Sequence, residues 1–348
     1  MAALRRPGRR EAATVPAPAT PHWENDALLK KVISILIGLG ILAALYWRVD
    51  LGLLARAFSR CRPWWIVGSL AMLAPTIVLM AARFRMLVPG GGVSLADAAS
   101  LALAAGVLNM VLPSRMGDLA KSYFMARHCR VSGSLALALV VFERACDLLS
   151  LLAWCVFGLL MFRHRTGLLV ALAVPVVLAA ALLLLLIGWP AFARGSFRLI
   201  GRIASGRLHD RMRRMSVAWE QMHGFFWADK FRLAQVAGTS VLIWLMHLAQ
   251  IWLLILGLRG DVRLLTSMGL TPMAMLAGLF PLTFAGIGTR DAALVFFYAP
   301  SLGEARAAAL GVLCTLRHLV LAVAGLPFIG RYLLAAGTAE LTESGSEG

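Results

Sequence analysis

The sequence predicts an all-α polytopic membrane protein with about six full membrane spans and two re-entrant or broken helices. Hydrophobic residues make up 60% of its 348 residues and charged residues only 15%, whereas soluble domains are nearer half apolar and a quarter charged. The mean hydropathy is +0.80. The apolar residues are also gathered into long stretches, and about 20 such residues suffice to cross a bilayer as a helix.

The apolar stretches divide the chain into a central domain and two tails. Residues 1–31 are predicted to be a disordered basic N-terminal tail, residues 32–337 the transmembrane domain, and residues 338–348 an acidic C-terminal tail. Five scattered cysteines favour neither disulfides nor a metal site. The stretches are 32–47, 64–88, 95–112, 132–162, 167–190, 231–258, 264–282 and 304–335.

Two of these stretches are too interrupted to cross the membrane as simple helices. Segment 95–112 carries Asp97 and runs into Pro113, and segment 264–282 contains Pro272 and ends in PLTFAGIG. Short, broken apolar segments of this kind line protein cavities as re-entrant helices. The residues expected to break the helices are Pro113, Gly117, Pro281, Gly286 and Gly288.

The distribution of Lys and Arg favours the same topology. If both interrupted segments return to the face they entered and the N-terminus is cytoplasmic, most basic residues lie inside, as the positive-inside rule requires. If all eight stretches span, the basic stretch 194–232 falls outside. The formal net charge of +17 therefore reflects basic flanks of membrane spans. No base-stacking module accompanies it, so nucleic acid is not an expected partner.

Residues 194–230 have the period of an amphipathic helix. The apolar residues recur at alternating steps of four and three, and the basic residues lie mostly off that stripe. Such a helix either lies on the inner leaflet or packs on the bundle, and both interpretations place it in the cytoplasm. The stripe consists of Leu208, Met212, Met215, Trp219, Met222 and Phe226.

Two stretches align without gaps as an internal repeat. DLAKSYFMARHCRVSGSLALALVVFER runs from Asp118 to Arg144, and DAALVFFYAPSLGEARAAALGVLCTLR runs from Asp291 to Arg317. Each begins at a Pro- and Gly-containing break, and the favoured topology puts the two breaks on opposite sides. The pattern is therefore that of an inverted repeat, as in transporters.

The segment VVFERACDLL places Glu143, Arg144 and Asp147 on neighbouring parts of one helix face. Ionisable residues inside a membrane segment are rare and usually functional. These three either lock helix packing as an ion-pair cluster or line a polar pocket or proton path.

Arg115, Asp118 and Lys121 follow the first break at three-residue spacing. Helix N-termini attract anions, and Arg and Lys hold phosphate, so these residues either bind a headgroup or contact lipid at the membrane surface. In the second break, Arg290 and Asp291 form a charge pair beside two glycines.

Arg317 lies deep in the last span. A buried guanidinium calls for an acidic partner, and we expect Asp291 or Glu143 to supply it. Catalysis has little sequence support, because HExxH, GxSxG and paired CxxC motifs are absent. We therefore expect no catalytic residue, metal ligand or cofactor.

In order along the chain, these motifs resemble the transmembrane, flippase-like domain of the lysylphosphatidylglycerol synthase family. LPSRMGD (Leu112 to Asp118) matches the family's first break, ERACD its charged helix, PLTFAGIGTRD its second break, and Arg317 the buried arginine of its last span. The resemblance covers roughly residues 32–335. The chain departs from it at Ala285, where Gly is preferred, and at Thr283–Phe284, where Ser-Pro is usual.

The resemblance implies a multi-pass lipid flippase of a bacterial cell inner membrane, for lipids with anionic or aminoacylated headgroups. The chain lacks the aminoacyltransferase domain of two-domain members, so we expect no synthase activity. The alternative is a non-transporting partner of a lipid-modifying or glycosyl-transferring enzyme. In the flippase hypothesis the cations hold the headgroup and the carboxylates balance them or accept a cationic moiety. The substrate-binding candidates are Arg115, Asp118, Lys121, Glu143, Arg144, Asp147, Arg290, Asp291 and Arg317.

Overall fold

The computed structural model describes residues 51–90, 92–111, 117–129, 131–161, 167–203, 207–279, 283 and 286–344, with single positions at 36, 40, 42 and 43. All regular structure in these ranges is helical, which confirms the all-α class. The predicted N-terminal tail and most of the first predicted span lie outside the described residues.

The described residues form thirteen helices. They are α1 (Leu51–Ser59), α2 (Pro63–Ala71), α3 (Leu73–Leu87), α4 (Leu95–Val111), α5 (Gly117–His128), α6 (Gly133–Met161), α7 (Gly167–Gly188), α8 (Pro190–Ile203), α9 (Arg207–Ala228), α10 (Lys230–Gly257), α11 (Leu264–Ala277), α12 (Thr289–Leu302) and α13 (Glu304–Ser344). The last helix extends into the segment predicted to be the acidic tail.

Three helical segments of the described chain are long and apolar enough to cross a membrane: Pro63–Leu87, Lys230–Gly257 and Glu304–Gly330. A fourth candidate is the pair Ala173–Gly188 and Pro190–Arg202, which is bent by 103°. Two shorter apolar helices, Leu95–Met110 and Leu264–Ala277, occupy the segments predicted to be re-entrant. The count of six spans and the inverted repeat stay predictions.

Helix α6 runs through the centre of the bundle and packs against α5, α7, α9, α10 and α11. Its approach to α11 is close at Gly158, where an added Cβ would lie 2.3 Å from the carbonyl oxygen of Gly269. Only a residue without a side chain permits this contact. Of the two helices in the interrupted segments, α11 thus packs beside α6, and α4 packs beside α13.

The apolar stripe of the basic segment faces the bundle. Trp219, Met222 and Phe226 on α9 are buried, and Phe226 stacks on Phe142 of α6 with ring centroids 4.5 Å apart. Of the two interpretations left open by the sequence, packing on the bundle is the one that the structure supports.

Loops from three parts of the chain meet at one end of α10. The backbone N–H of Arg62 donates to the carbonyl of Gly257 at 2.7 Å. Arg259 Nε donates to the carbonyl of Arg60 at 2.7 Å, and Arg306 donates to the carbonyl of Arg259 at 3.3 Å. Helix α9 immediately precedes the opposite end of α10. The predicted topology assigns these two ends to opposite sides of the membrane.

Candidate functional site

The charged turn of α6 lies at the centre of a chain of ionised side chains whose signs alternate from one contact to the next. The chain begins and ends on α5 and reaches α3 at its middle. We call it the six-charge chain. In order of contact it consists of Lys121, Glu143, Arg83, Asp147, Arg144 and Asp118.

The first half of the six-charge chain is buried. Lys121 Nζ donates to both carboxylate oxygens of Glu143, at 3.0 and 3.2 Å. Arg83 Nη2 donates to Glu143 at 2.8 Å, and Arg83 also pairs with Asp147 and donates to Ser240 Oγ at 2.9 Å. The side chain of Glu143 is 0% exposed and that of Arg83 1%. Burial at this depth is tolerable only because each charge has opposite charges in contact.

The second half is partly accessible. Arg144 holds Asp118 with a two-bond fork, Nε–Oδ2 at 2.8 Å and Nη2–Oδ1 at 2.6 Å, and it donates to Asp147 at 3.1 Å. The Arg144 side chain is 31% exposed. Asn109 at the end of α4 accepts from the backbone N–H of Gly117 at 2.9 Å, so it fixes the start of α5 beside this pair. Three cations face three carboxylates, and the set is formally neutral.

Arg83 was not a candidate from the sequence. It lies two residues from Arg85 near the end of a predicted span, where basic residues ordinarily mark the membrane boundary. The structure exposes Arg85 and buries Arg83. The signal that could have found it is the depth of Arg83 inside the apolar stretch 64–88, since an intramembrane charge calls for a partner.

A small cleft of about 50 Å³ opens beside the accessible half of the six-charge chain. Its polar wall comes from α4, α5 and α6, and its apolar walls come from α3, α4 and α13. Residues on the polar wall are Asn109, Lys121 and Arg144, and those on the apolar walls include Met80, Gly106 and Leu321.

The second break turns sharply before α12. Gly286 and Gly288 have φ angles of +73° and +102°, a conformation that glycine adopts without strain. A Cβ on Gly286 would also lie 2.4 Å from the carbonyl oxygen of Gly278. At the start of α12, Arg290 forks onto Asp291 at 3.0 and 2.8 Å and donates to Thr315 Oγ1 at 2.6 Å. Both charges are buried.

The prediction that Asp291 or Glu143 pairs with Arg317 is wrong. Arg317 Nη1 donates to the amide oxygen of Gln250 at 2.7 Å, and the described residues place no carboxylate within 4 Å of its guanidinium. The reason is that Glu143 and Asp291 are already paired, with cations that lie closer to them. Gln250 in turn donates to Thr76 Oγ1 at 3.3 Å. Arg317 is only 5% exposed. It is therefore a buried cation whose hydrogen-bond partner, Gln250, is neutral.

The two halves of the predicted repeat thus differ in their pairing. Asp118 and Arg144 form a direct ion pair, whereas Asp291 and Arg317 do not. Three further candidates, Arg115, Pro113 and Pro281, lie outside the described residues. Within the described ranges, no group of three His, Cys, Asp or Glu side chains is arranged to hold a metal ion.

A family model described as "Lysylphosphatidylglycerol synthase TM region" matches residues 31–325. The chain belongs to this family. The match includes both breaks, the charged turn of α6 and Arg317, and it makes the protein a multi-pass membrane protein. The chain is also similar to the "UPF0104 membrane protein" of Methanothermobacter thermautotrophicus, which is 23% identical over 330 residues, covering 86% of this chain and 96% of the relative.

Proposed function

We propose that this member of the lysylphosphatidylglycerol synthase transmembrane family moves a lipid with a charged headgroup between the leaflets of a cytoplasmic membrane. The observation that carries the proposal is the cleft, where Lys121 and Arg144 meet apolar walls from three helices. A lipid needs polar surroundings for its headgroup and apolar surroundings for its acyl chains. The cleft offers the two side by side.

The charges favour an anionic or aminoacylated headgroup. Lys121 and Arg144 are the cations nearest the cleft, and guanidinium groups bind phosphate through paired hydrogen bonds. Arg317 adds a buried cation that has no carboxylate within 4 Å among the described residues. An amino group on the headgroup would take the place of a cation against Asp118 or Glu143. These contacts bind and orient a headgroup, so the role proposed is transport rather than catalysis.

A headgroup can enter only if the helices separate. A volume of about 50 Å³ holds a few water molecules and no lipid headgroup. The apolar walls are formed by separate helices. Gly106 of α4 faces Leu321 of α13, and a Cβ added to Gly106 would lie 4.0 Å from the leucine side chain. Parting α13 from α4 would widen the cleft and expose Arg144 to an entering phosphate.

Leaflet exchange in proteoliposomes tests this proposal. The probe is fluorescent phosphatidylglycerol, and the comparison is fluorescent phosphatidylcholine, whose zwitterionic headgroup has no net charge. We expect Lys121→Gln and Arg317→Gln to reduce exchange of phosphatidylglycerol to near the protein-free rate. Arg194→Gln is the matched control, because Arg194 lies on α8 in a half-exposed pair with Glu220 at 3.7 Å. Wild-type liposomes that exchange no faster than protein-free liposomes would overturn the proposal.

The complete pairing of the six-charge chain supports a second candidate, a non-transporting membrane partner of a lipid-modifying or glycosyl-transferring enzyme. A network in which every charge has an oppositely charged partner can hold helices rigidly together. This role predicts that such an enzyme copurifies with the protein and that Lys121→Gln leaves copurification intact. Rapid exchange by the purified protein alone would rule it out as the main role.

A further inference from the structure

A second cavity lies far from the cleft, between the first turn of α6 and the outer face of α9. Its volume is about 310 Å³, and its described lining is Ser134, Arg213, Arg214 and Val217. It is a depression open to its surroundings and does not enclose its contents. Ser134 precedes Glu143 by nine residues on α6, so the cavity lies about 14 Å along that helix from the six-charge chain.

Both arginines of this cavity are exposed, and among the side chains that the structure describes, which do not include that of Asp210, neither has a carboxylate within 4 Å. The two arginines line the cavity together with the start of helix α6. Ser132 caps that start, since its Oγ accepts from the N–H of Leu135 at 3.3 Å. Ser134 in the first turn of α6 and the two arginines of α9 therefore line the same cavity. Donors of this kind bind phosphate oxygens.

The remaining described lining residue, Val217, is apolar. Val217 is 52% exposed although it lies on a helix whose opposite stripe is buried. It follows Arg213 by four residues and Arg214 by three, so the valine and both guanidinium groups share one helix face. A free phosphate has no use for an apolar wall, whereas a phospholipid has a hydrocarbon chain directly below its phosphate.

We propose that this cavity binds the phosphate of an anionic phospholipid at the membrane surface. The arginines and the start of α6 hold the phosphate, and Val217 contacts the first carbons of the acyl chains. The bound lipid joins α9 to α6, the helix that carries Glu143 and Arg144. The site does not depend on the transport role, because it shares no residue with the cleft.

The test measures, by calorimetry, the binding of short-chain phosphatidylglycerol to the purified full-length protein. Arg213→Gln/Arg214→Gln is the test variant. Arg198→Gln/Arg202→Gln is the control, because it removes the same charge from exposed positions on neighbouring α8. An arginine near an anionic lipid contributes about 1 kcal/mol, so we expect binding to weaken about tenfold or more in the test variant and to stay within about twofold in the control.

Two further measurements distinguish binding of a phospholipid from binding of a free anion. Val217→Ser should weaken phosphatidylglycerol binding and leave the affinity for inorganic phosphate unchanged. Short-chain phosphatidylcholine, with no net charge, should bind weakly to every variant. Equal losses in the two double variants would overturn the proposal, because the effect would then be one of overall charge. Inorganic phosphate that binds as tightly as the lipid would overturn it too.

Discussion

At the scale of single residues, the buried cations are balanced in two different ways. Arg83 is surrounded by carboxylates, whereas Arg317 is held by the amide of Gln250. Removing one member of a buried ion pair leaves a bare charge, which costs more than the pair itself contributes. Removing a buried cation that has no counter-charge leaves no unpaired charge behind. The two arginines should therefore respond oppositely to the same substitution.

Arg83→Gln should lose roughly 3–5 kcal/mol of stability, because Asp147 and Glu143 lose a buried partner. The measurement is the midpoint of an SDS unfolding titration in mixed micelles. Arg85→Gln is the control, since Arg85 is exposed two residues away on the same helix. Equal midpoints for the two variants would contradict the central position of Arg83.

Arg317→Gln should leave that midpoint unchanged or raise it, because a buried cation without a carboxylate partner is replaced by a neutral amide. The same variant should lose leaflet exchange. A loss of stability as large as that of Arg83→Gln would show that Arg317 has a structural counter-charge and is not available to bind a ligand.

The sequence identified five members of the six-charge chain and missed the sixth for a physical reason. Helical spacing shows that Glu143 and Asp147 share a face, but it says nothing about which other helix lies opposite that face. Arg83 comes from such a neighbour, and so does Gln250. The expected pairing of Arg317 with Asp291 failed for the same reason, because contacts between helices depend on packing that no local pattern encodes.

At the scale of helices, the start of α5 depends on a close backbone contact. A Cβ on Gly117 would lie 2.1 Å from the carbonyl oxygen of Ala105 and 2.9 Å from Asn109 Oδ1. Helices α4 and α5 can approach this closely only because the residue is glycine. The Asn109 bond to the Gly117 N–H, and with it the position of Asp118, follows from that approach.

Gly117→Ala should destabilise the protein by about 1–3 kcal/mol, the usual effect of forcing extra volume into a packed site. Gly133→Ala, at the corresponding first position of α6, meets nothing within 4 Å and should be neutral or slightly stabilising. The SDS titration that reports on Arg83 distinguishes these outcomes, and a neutral Gly117→Ala would refute the close approach.

Helix α9 carries a pH-sensitive contact. Burial lowers the pKa of His223 below its usual value of 6.5, against the smaller effect of its hydrogen bond to the Gly188 carbonyl, and the ring stacks on Trp227 at 3.9 Å. A group that resists protonation when folded stabilises the fold above its unfolded pKa, and this contribution is lost as the pH falls below about 6.5. The contact between α7 and α9 should therefore weaken in acid.

The melting temperature of the wild type in micelles should decrease as the pH is lowered from 7 to 5, and His223→Gln should reduce that decrease. His128→Gln, at an exposed position on α5, should retain the full decrease. An unchanged pH profile in His223→Gln would contradict the role of burial at this histidine.

At the scale of the whole molecule, the two ends of α10 differ in what surrounds them. The loops around Arg60, Gly257 and Arg306 meet at one end of α10, and the basic helices α8 and α9 precede its other end. The positive-inside rule assigns the basic end to the cytoplasm. The all-α class and the positions of the interrupted segments follow from hydropathy alone, because apolar runs of spanning length are a local property.

In a cysteine-free background, Asp261→Cys and Arg198→Cys test this orientation, since both positions are exposed. A membrane-impermeant maleimide added to intact spheroplasts should label position 261 and leave position 198 unlabelled until the membrane is opened. The reverse labelling would invert the proposed topology.

The neutrality of the six-charge chain has a consequence for work done in an electric field. A unit charge that crosses 100 mV gains or loses about 2.3 kcal/mol. Three cations and three carboxylates that move as one body gain nothing, and the Arg290–Asp291 pair is neutral as well. Of these groups only Arg317 would respond to the membrane potential. In the proposed transport, the voltage would therefore act on Arg317 and on any net charge of the headgroup.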